Sequence, residues 1–171
     1  MTGRYVLLCV VLAVGLGVTA LGCGPPPYPK TVQHALLDRP LPEIRRETLE
    51  GAHLDTASLR GRVVVVKFFA EYCEPCKRSL PAAERVHKAH ADVLFVGVAE
   101  DQSRDAAKNM VKMYELTFPV VHDGGNNVLS GRFRVNELPM TFVADKQGLI
   151  RWVGAAGQSE EDLERAVQAA R

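Results

Sequence analysis

The chain has 171 residues, 47% of them hydrophobic, which is enough for one domain with a real core. Its formal net charge is +1, without the basic patch or stripe that a nucleic-acid surface needs, so no nucleic-acid partner is expected. Its 4 cysteines are too few for a disulfide scaffold, and they are not equivalent. Cys9 lies in an N-terminal apolar stretch and Cys23 at its end, while Cys73 and Cys76 fall in the globular part.

Arg4 is followed by an uncharged run from Tyr5 to Leu21 and then by Ala20-Leu21-Gly22-Cys23, with small residues at the junction. This reads as an export signal. It resembles the bacterial lipoprotein signal, in which the cysteine, here Cys23, becomes the lipidated first residue, although Ala20 stands where such signals usually carry Leu. The run is near the lower limit for spanning a bilayer, so an uncleaved anchor is the competing reading. Both readings leave the domain outside the cytoplasm, in a compartment that tolerates disulfides, and both tie it to a membrane. Gly24-Pro25-Pro26-Pro27-Tyr28-Pro29-Lys30 is proline-dense and predicts an extended polyproline spacer of about 3.1 Å per residue. The expected organisation is a signal over residues 1–22, a lipidated cysteine and tether over 23–40, and one domain over 41–171.

From Leu41 onward short apolar runs alternate with helical patterns, which predicts an α/β layer fold. Leu41 to Leu59 reads as a small hairpin turning at Glu50-Gly51. Val63 to Ala70 is apolar apart from Lys67, as a strand covered on both faces should be. The helix after it carries Leu80, Ala83 and Val86 at helical spacing, with Pro81 as a kink. Val93 to Val98 reads as a second buried strand, and Ser103 to Glu115 as a helix with Ala106, Met110, Met113 and Tyr114 on one face. Phe118 to Val121 reads as a third strand, and Gly124 to Asn127 as a turn. Met140–Ala144 and Leu149–Val153 form an antiparallel pair across Asp145-Lys146-Gln147-Gly148. Ser159 caps a last helix, with Asp162 at the capping-box position and Leu163, Ala166, Val167 and Ala170 toward the core.

Cys73-Glu74-Pro75-Cys76 falls where the first buried strand ends and a helix begins. Two cysteines with two residues between them, at such a junction, can close a small disulfide and reopen it. Cys73 sits where free backbone N–H groups and the helix dipole favour a thiolate. A bare C-x-x-C is equally at home as half a zinc site, so its setting carries the inference. His87 and His90, three apart on the helix, read as part of a solvated face beside Arg85 and Lys88 rather than as metal ligands. Trp152 reads as core or as partner surface.

These motifs make the chain resemble a thioredoxin-fold protein of the extracytoplasmic TlpA/ResA type, from about Leu41 to the C-terminus. The marks are Phe68-Phe69-Ala70-Glu71-Tyr72-Cys73-Glu74-Pro75-Cys76, then Pro81, then Leu138-Pro139-Met140-Thr141-Phe142, then Gly148 and Gly154. The resemblance implies a central mixed β-sheet flanked by helices, an N-terminal β-hairpin, and the family's helix–strand insertion over Asp101 to Asn127. It also implies a cis bond before Pro139, beside the cysteines, with the Leu138 backbone left to pair with an extended substrate. The implied reaction is exchange: the Cys73 thiolate attacks a substrate disulfide and Cys76 resolves the mixed disulfide, with no cofactor. Expected partners are thiols and disulfides of exported proteins, and a membrane electron donor of the DsbD/CcdA type. Apocytochrome c is one substrate the family suggests, as in cytochrome c biogenesis.

Several residues depart from the pattern. Lys67 occupies the place of a buried acid beneath the second cysteine; it could stabilise a thiolate, accept a proton, or let its ammonium escape to solvent along a packed stem. Ser79 stands where ResA-like proteins carry a glutamate, Tyr72 replaces the usual Trp, and Met140 the usual Thr. Glu74 opposes a Cys73 thiolate and so favours a reducing pair, while also suiting the first turn of a helix. Two other functions compete: a copper carrier using Cys73, Cys76 and His122, and a peroxidase, which is disfavoured because such enzymes resemble a different cysteine motif.

Overall fold

The computed structural model describes residues 28–59 and 61–171. The signal segment, Cys9, the lipidation candidate Cys23 and the first prolines of the tether lie outside the described residues. No helix among the described residues is long and apolar enough to cross a membrane.

The strand β3 (Val64–Phe69) is buried along its whole length, as its unbroken apolar run requires. It lies at the centre of a five-stranded sheet. β4 (Leu94–Ala99) pairs parallel to it on one side, with Val66 opposite Val96, and β5 (Val120–His122) continues parallel beyond β4. β6 (Met140–Ala144) pairs antiparallel on the other side, with Lys67 opposite Thr141, and β7 (Ile150–Gly154) follows it. Ahead of this sheet, β1 (Arg45–Glu47) and β2 (His53–Asp55) form the expected hairpin. Its turn closes with the Thr48 N–H donating to the Ala52 carbonyl, and Gly51 adopts a φ of +90°.

The alternation of β3 divides the core in two. Val65 and Phe69 face α1 (Glu74–Ala89) and α4 (Glu160–Ala169), together with the buried side of α2 (Arg104–Met113). Val64, Val66 and Phe68 face α3 (Val128–Phe133), the hairpin and the N-terminal segment. α1 runs unbroken through Pro81. Ser159 and Asp162 form the capping box of α4, each satisfying a backbone N–H near the other.

Within the fold, the structure departs from the sequence reading in the N-terminal segment and in the buried face of α2, and it adds a helix. The tether was expected to reach residue 40, but its described part from Lys30 onward lies along the open edge of β7. Val32 N–H donates to the Val153 carbonyl (2.9 Å), Asp38 N–H to Ile150 (2.8 Å) and Leu41 N–H to Gly148 (2.9 Å). The inward face of α2 is Ala107 and Met110, not Ala106 and Met113, and Met113 is exposed. Phase explains this: the helix ends at Met113, and the stripe runs through 107, 110, 111 and 114. α3 follows the expected turn over Gly124–Asn127, in a stretch where the sequence predicts no element. It is short and contains Gly131, so its own propensity is poor. The buried Asp123 carboxylate holds it from outside, accepting the backbone N–H groups of Leu129 and Ser130 at 2.9 Å each.

Gly97 lets β4 and its neighbours approach closely. A Cβ there would lie 2.9 Å from the Val120 side chain and 3.0 Å from the Phe118 and Phe69 rings. Gly97→Ala is expected to destabilise the domain by about 1–3 kcal/mol, read as a lower denaturant midpoint at unchanged slope.

Candidate active site

β3 delivers the chain directly into the site. After Phe69 the backbone turns so that Cys73 becomes the N-cap of α1, with Glu74 and Pro75 as its first helical residues. Proline is suited to this first turn because the N–H it lacks would have no helical partner. Cys73 and Cys76 are joined by a disulfide with Cα atoms 5.2 Å apart. The Cys76 N–H donates to Cys73 Sγ at 3.1 Å, so a backbone dipole already points at the sulfur that would carry charge. Cys73 is 6% exposed and Cys76 is fully buried, which makes Cys73 the sulfur an incoming group can reach.

Cys73 opens onto a cavity of about 550 Å³. Tyr72, Glu74 and Pro75 line one side, Val135 to Leu138 the other, and Glu100 closes the end. Tyr72 is 70% exposed, a large apolar ring with no packing role. The Leu138–Pro139 peptide bond is cis, as the resemblance implied, and Leu138 lies against the same cavity as Cys73.

Glu74 forms an ion pair with Lys77, 2.6 Å away and one turn along, and this hydrogen bond holds its carboxyl below the usual carboxylate range. Glu74 is therefore ionised beside Cys73, but its charge is shared with Lys77. The sequence reading missed Lys77, although its three-residue spacing from Glu74 on one helix face is a visible signal.

Glu100 and Asp101 were also missed. They follow directly on β4, and the carboxyl ends of parallel strands are where sites collect in such sheets. Half-burial pushes the Glu100 carboxyl up, helped by repulsion from Asp123 and Asp101 and opposed by a hydrogen bond from Ser130 (2.6 Å). Burial likewise raises Asp101, which accepts the Glu71 N–H at 2.7 Å and so pins the loop leading to Cys73. The thiolate at Cys73 would thus form in the cavity that Glu74 and Glu100 line.

Lys67 does not escape to solvent. It is 1% exposed, and its Nζ donates to Thr141 Oγ1 at 3.3 Å. Burial alone brings its amine down to about 8. Thr141 Oγ1 also accepts from Gln158 Nε2 at 3.1 Å. Gly154, opposite Thr141, leaves the space that Gln158 occupies, since a Cβ there would collide with both Gln158 and the Trp152 indole. Trp152 itself is core, and its indole N–H donates to the Lys30 carbonyl at 3.2 Å.

The histidines are not on a solvated face. The His87 ring packs against Phe95 and Phe118, at 5.2 and 5.7 Å between centroids, and burial pushes its pKa down. His90 is buried between Glu164 and Arg171, each 2.7 Å from a ring nitrogen. α1 packs beside α4 and over β4, which turns this stretch inward despite its flanking charges. His122 bonds the Asp101 carbonyl at 2.6 Å. Among the described residues no three His, Cys, Asp or Glu side chains stand close enough to hold a metal.

A mixed sheet with helices on both faces, and a disulfide pair at the N-terminus of the helix after its central strand, define a thioredoxin-fold thiol–disulfide oxidoreductase. The chain belongs to the AhpC/TSA family, which it matches over residues 37–153. It is similar to the thiol-disulfide oxidoreductase ResA of Bacillus cereus, with 31% identity over 122 residues, 70% of each chain. Among solved structures it resembles a secreted Mycobacterium tuberculosis disulfide oxidoreductase homologous to Escherichia coli DsbE. That comparison gives 29% identity, a TM-score of 0.68, and coverage of 74% of this chain and 95% of the other. A thiol:disulfide interchange protein of Chlorobium tepidum matches at 27% identity and a TM-score of 0.69, covering 81% of this chain and 99% of that one.

Two outcomes follow from these charges. Glu100→Gln removes a negative charge at the cavity and should lower the Cys73 thiol pKa by about half a unit to one unit, measured by thiolate absorbance during titration of the reduced protein. Lys67→Met should raise stability at pH 7 by about 3 kcal/mol, because the folded state holds this amine less protonated than the unfolded chain does. Wild-type stability recovers as pH rises from about 8 through 10.5, so the gap between the two proteins should close over that window.

Proposed function

We propose that this protein is a membrane-tethered, extracytoplasmic thiol–disulfide oxidoreductase that reduces disulfides in exported proteins. One observation carries the reading: a closed Cys73–Cys76 pair whose outer sulfur meets a cavity framed by Tyr72, Glu100 and Leu138. An extended segment bearing a disulfide enters that cavity and is attacked by the Cys73 thiolate. A mixed disulfide forms on Cys73 Sγ and one substrate thiolate leaves. Cys76 then attacks Cys73 Sγ, the second substrate thiolate departs, and the pair ends as the disulfide described here. A membrane electron donor of the DsbD/CcdA type returns it to the dithiol.

The reducing direction is supported by the Glu100 carboxyl, which lines the cavity onto which Cys73 opens, and to a smaller degree by Glu74, whose charge Lys77 offsets. A carboxylate there disfavours a thiolate, and a less stable reduced form lowers the potential of the pair. The tether is supported by the apolar run before Cys23. Equilibration of the Lys30–Arg171 chain with dithiothreitol should give a potential near thioredoxin's, about −270 mV or lower. A value near that of DsbA, about −120 mV, would reverse the direction and make the protein an oxidant.

A further inference from the structure

Two openings flank the accessible sulfur, and they differ in charge. The cavity of about 550 Å³ onto which Cys73 opens is bordered by Glu74, Glu100 and Glu137, and by no lysine or arginine among the described residues. A second cavity, of about 370 Å³, is bordered by Arg78, Arg85 and Glu160. Pro75 belongs to both. The cis Leu138–Pro139 bond lies between them, with Leu138 on the first and Pro139 on the second. The openings are therefore two halves of one groove that passes the first turn of α1.

Internal pairing sharpens the contrast. In the first half Lys77 offsets Glu74, which leaves Glu100 and Glu137. In the second half Arg85 engages both carboxylate oxygens of Glu160, at 2.6 to 3.1 Å, which leaves Arg78. Glu137 and Arg78 are exposed, and neither forms an ion pair with another described residue. Tyr72 borders the acidic half with its ring 70% exposed, a face on which a cation stacks favourably.

The backbone sets which way an extended chain lies in this groove. Among the described residues the Leu138 N–H and C=O have no backbone partner, and Pro139 has no N–H to offer. A single residue exchanges both of its bonds with one residue of an incoming chain only in the antiparallel sense. The protein runs from Val135 on the acidic half to Pro139 on the basic half. An antiparallel substrate therefore lays its N-terminal side over Arg78 and its C-terminal side over Glu100 and Glu137. In an extended chain every second side chain shares a face, so the residues two before and two after the cysteine turn toward the groove with it, each about 7 Å away.

We propose that this groove selects disulfides by charge order, favouring segments with an acidic residue two positions before the cysteine and a basic residue two positions after it. The carboxylate meets Arg78, and the ammonium or guanidinium meets Glu137, Glu100 and the Tyr72 ring. Each exposed pair contributes little alone. Reversing the order turns both attractions into repulsions, so the charges act on the choice of segment more than on affinity. The inference rests on the exchange reaction proposed above and adds the class of segment on which that reaction acts.

The test uses two peptides of identical composition and net charge, with blocked termini: Gly-Glu-Gly-Cys-Gly-Lys-Gly and Gly-Lys-Gly-Cys-Gly-Glu-Gly. Each carries its cysteine as a mixed disulfide with thionitrobenzoate. Attack by the Cys73 thiolate of the reduced protein on the peptide sulfur releases thionitrobenzoate, whose absorbance gives the second-order rate. The first peptide should react about tenfold faster than the second at low salt, and the ratio should shrink toward one at about 0.5 M salt. In the Glu137→Lys/Arg78→Glu double variant, changed only at exposed positions, the ratio should fall below one. A wild-type ratio of one or less overturns the inference, and so does a ratio that the double variant leaves unchanged. If both peptides react no faster than they do with the same concentration of glutathione, the oxidoreductase reading itself fails, and the charge preference falls with it.

Discussion

Everything reactive in this protein depends on β3 being covered on both faces. Its six residues have no solvent side, so the strand is fixed in register by β4 and β6 together, and its carboxyl end can be aimed. Only a rigid strand delivers the next few residues to the same place each time. Phe69 leads through Ala70 to Cys73, and α1 starts there because Cys73 caps it and Pro75 suits its first turn. The disulfide, the accessible sulfur and the cavity are successive consequences of that one placement.

The same burial sets the electrostatics. A lysine in the middle of such a strand is desolvated, whereas Glu100, just past the end of β4, stays half-buried at the sheet's rim. Lys67 lies on the face of β3 that turns toward the core shared by the cysteines, and Glu100 lines the cavity onto which Cys73 opens. Glu74 adds little net charge, because Lys77 lies 2.6 Å from it.

Much of this was legible in the sequence, and the reasons differ from element to element. The run Val63–Ala70, the C-x-x-C after it and the Ser159/Asp162 box are local signals, and each formed where it was read. The departures come from partners outside the element itself. α3 exists because Asp123, beyond β5, caps it; nothing in its own six residues demands a helix. His87 and His90 carry charged neighbours that suggest a wet face, but packing against α4 and β4 decides otherwise. Lys67 was visible as an anomaly, yet the sequence left its amine free to be wet or dry. Thr141 and Gln158, 74 and 91 positions away, close that choice, and no local pattern joins the three residues.

The segment laid along β7 has a mechanical consequence. It runs antiparallel to that strand, with Val32 near Val153 and Leu41 near Gly148. Tension from the N-terminal side therefore meets the Val32 end first and opens the hydrogen bonds one after another, as a zipper opens, rather than loading them all at once. Each residue released adds about 3.3 Å of extended chain, so freeing residues 30–40 would pay out on the order of 35 Å. The domain carries, folded against its own sheet, a stretch of chain that can yield under load before the central strands are pulled upon.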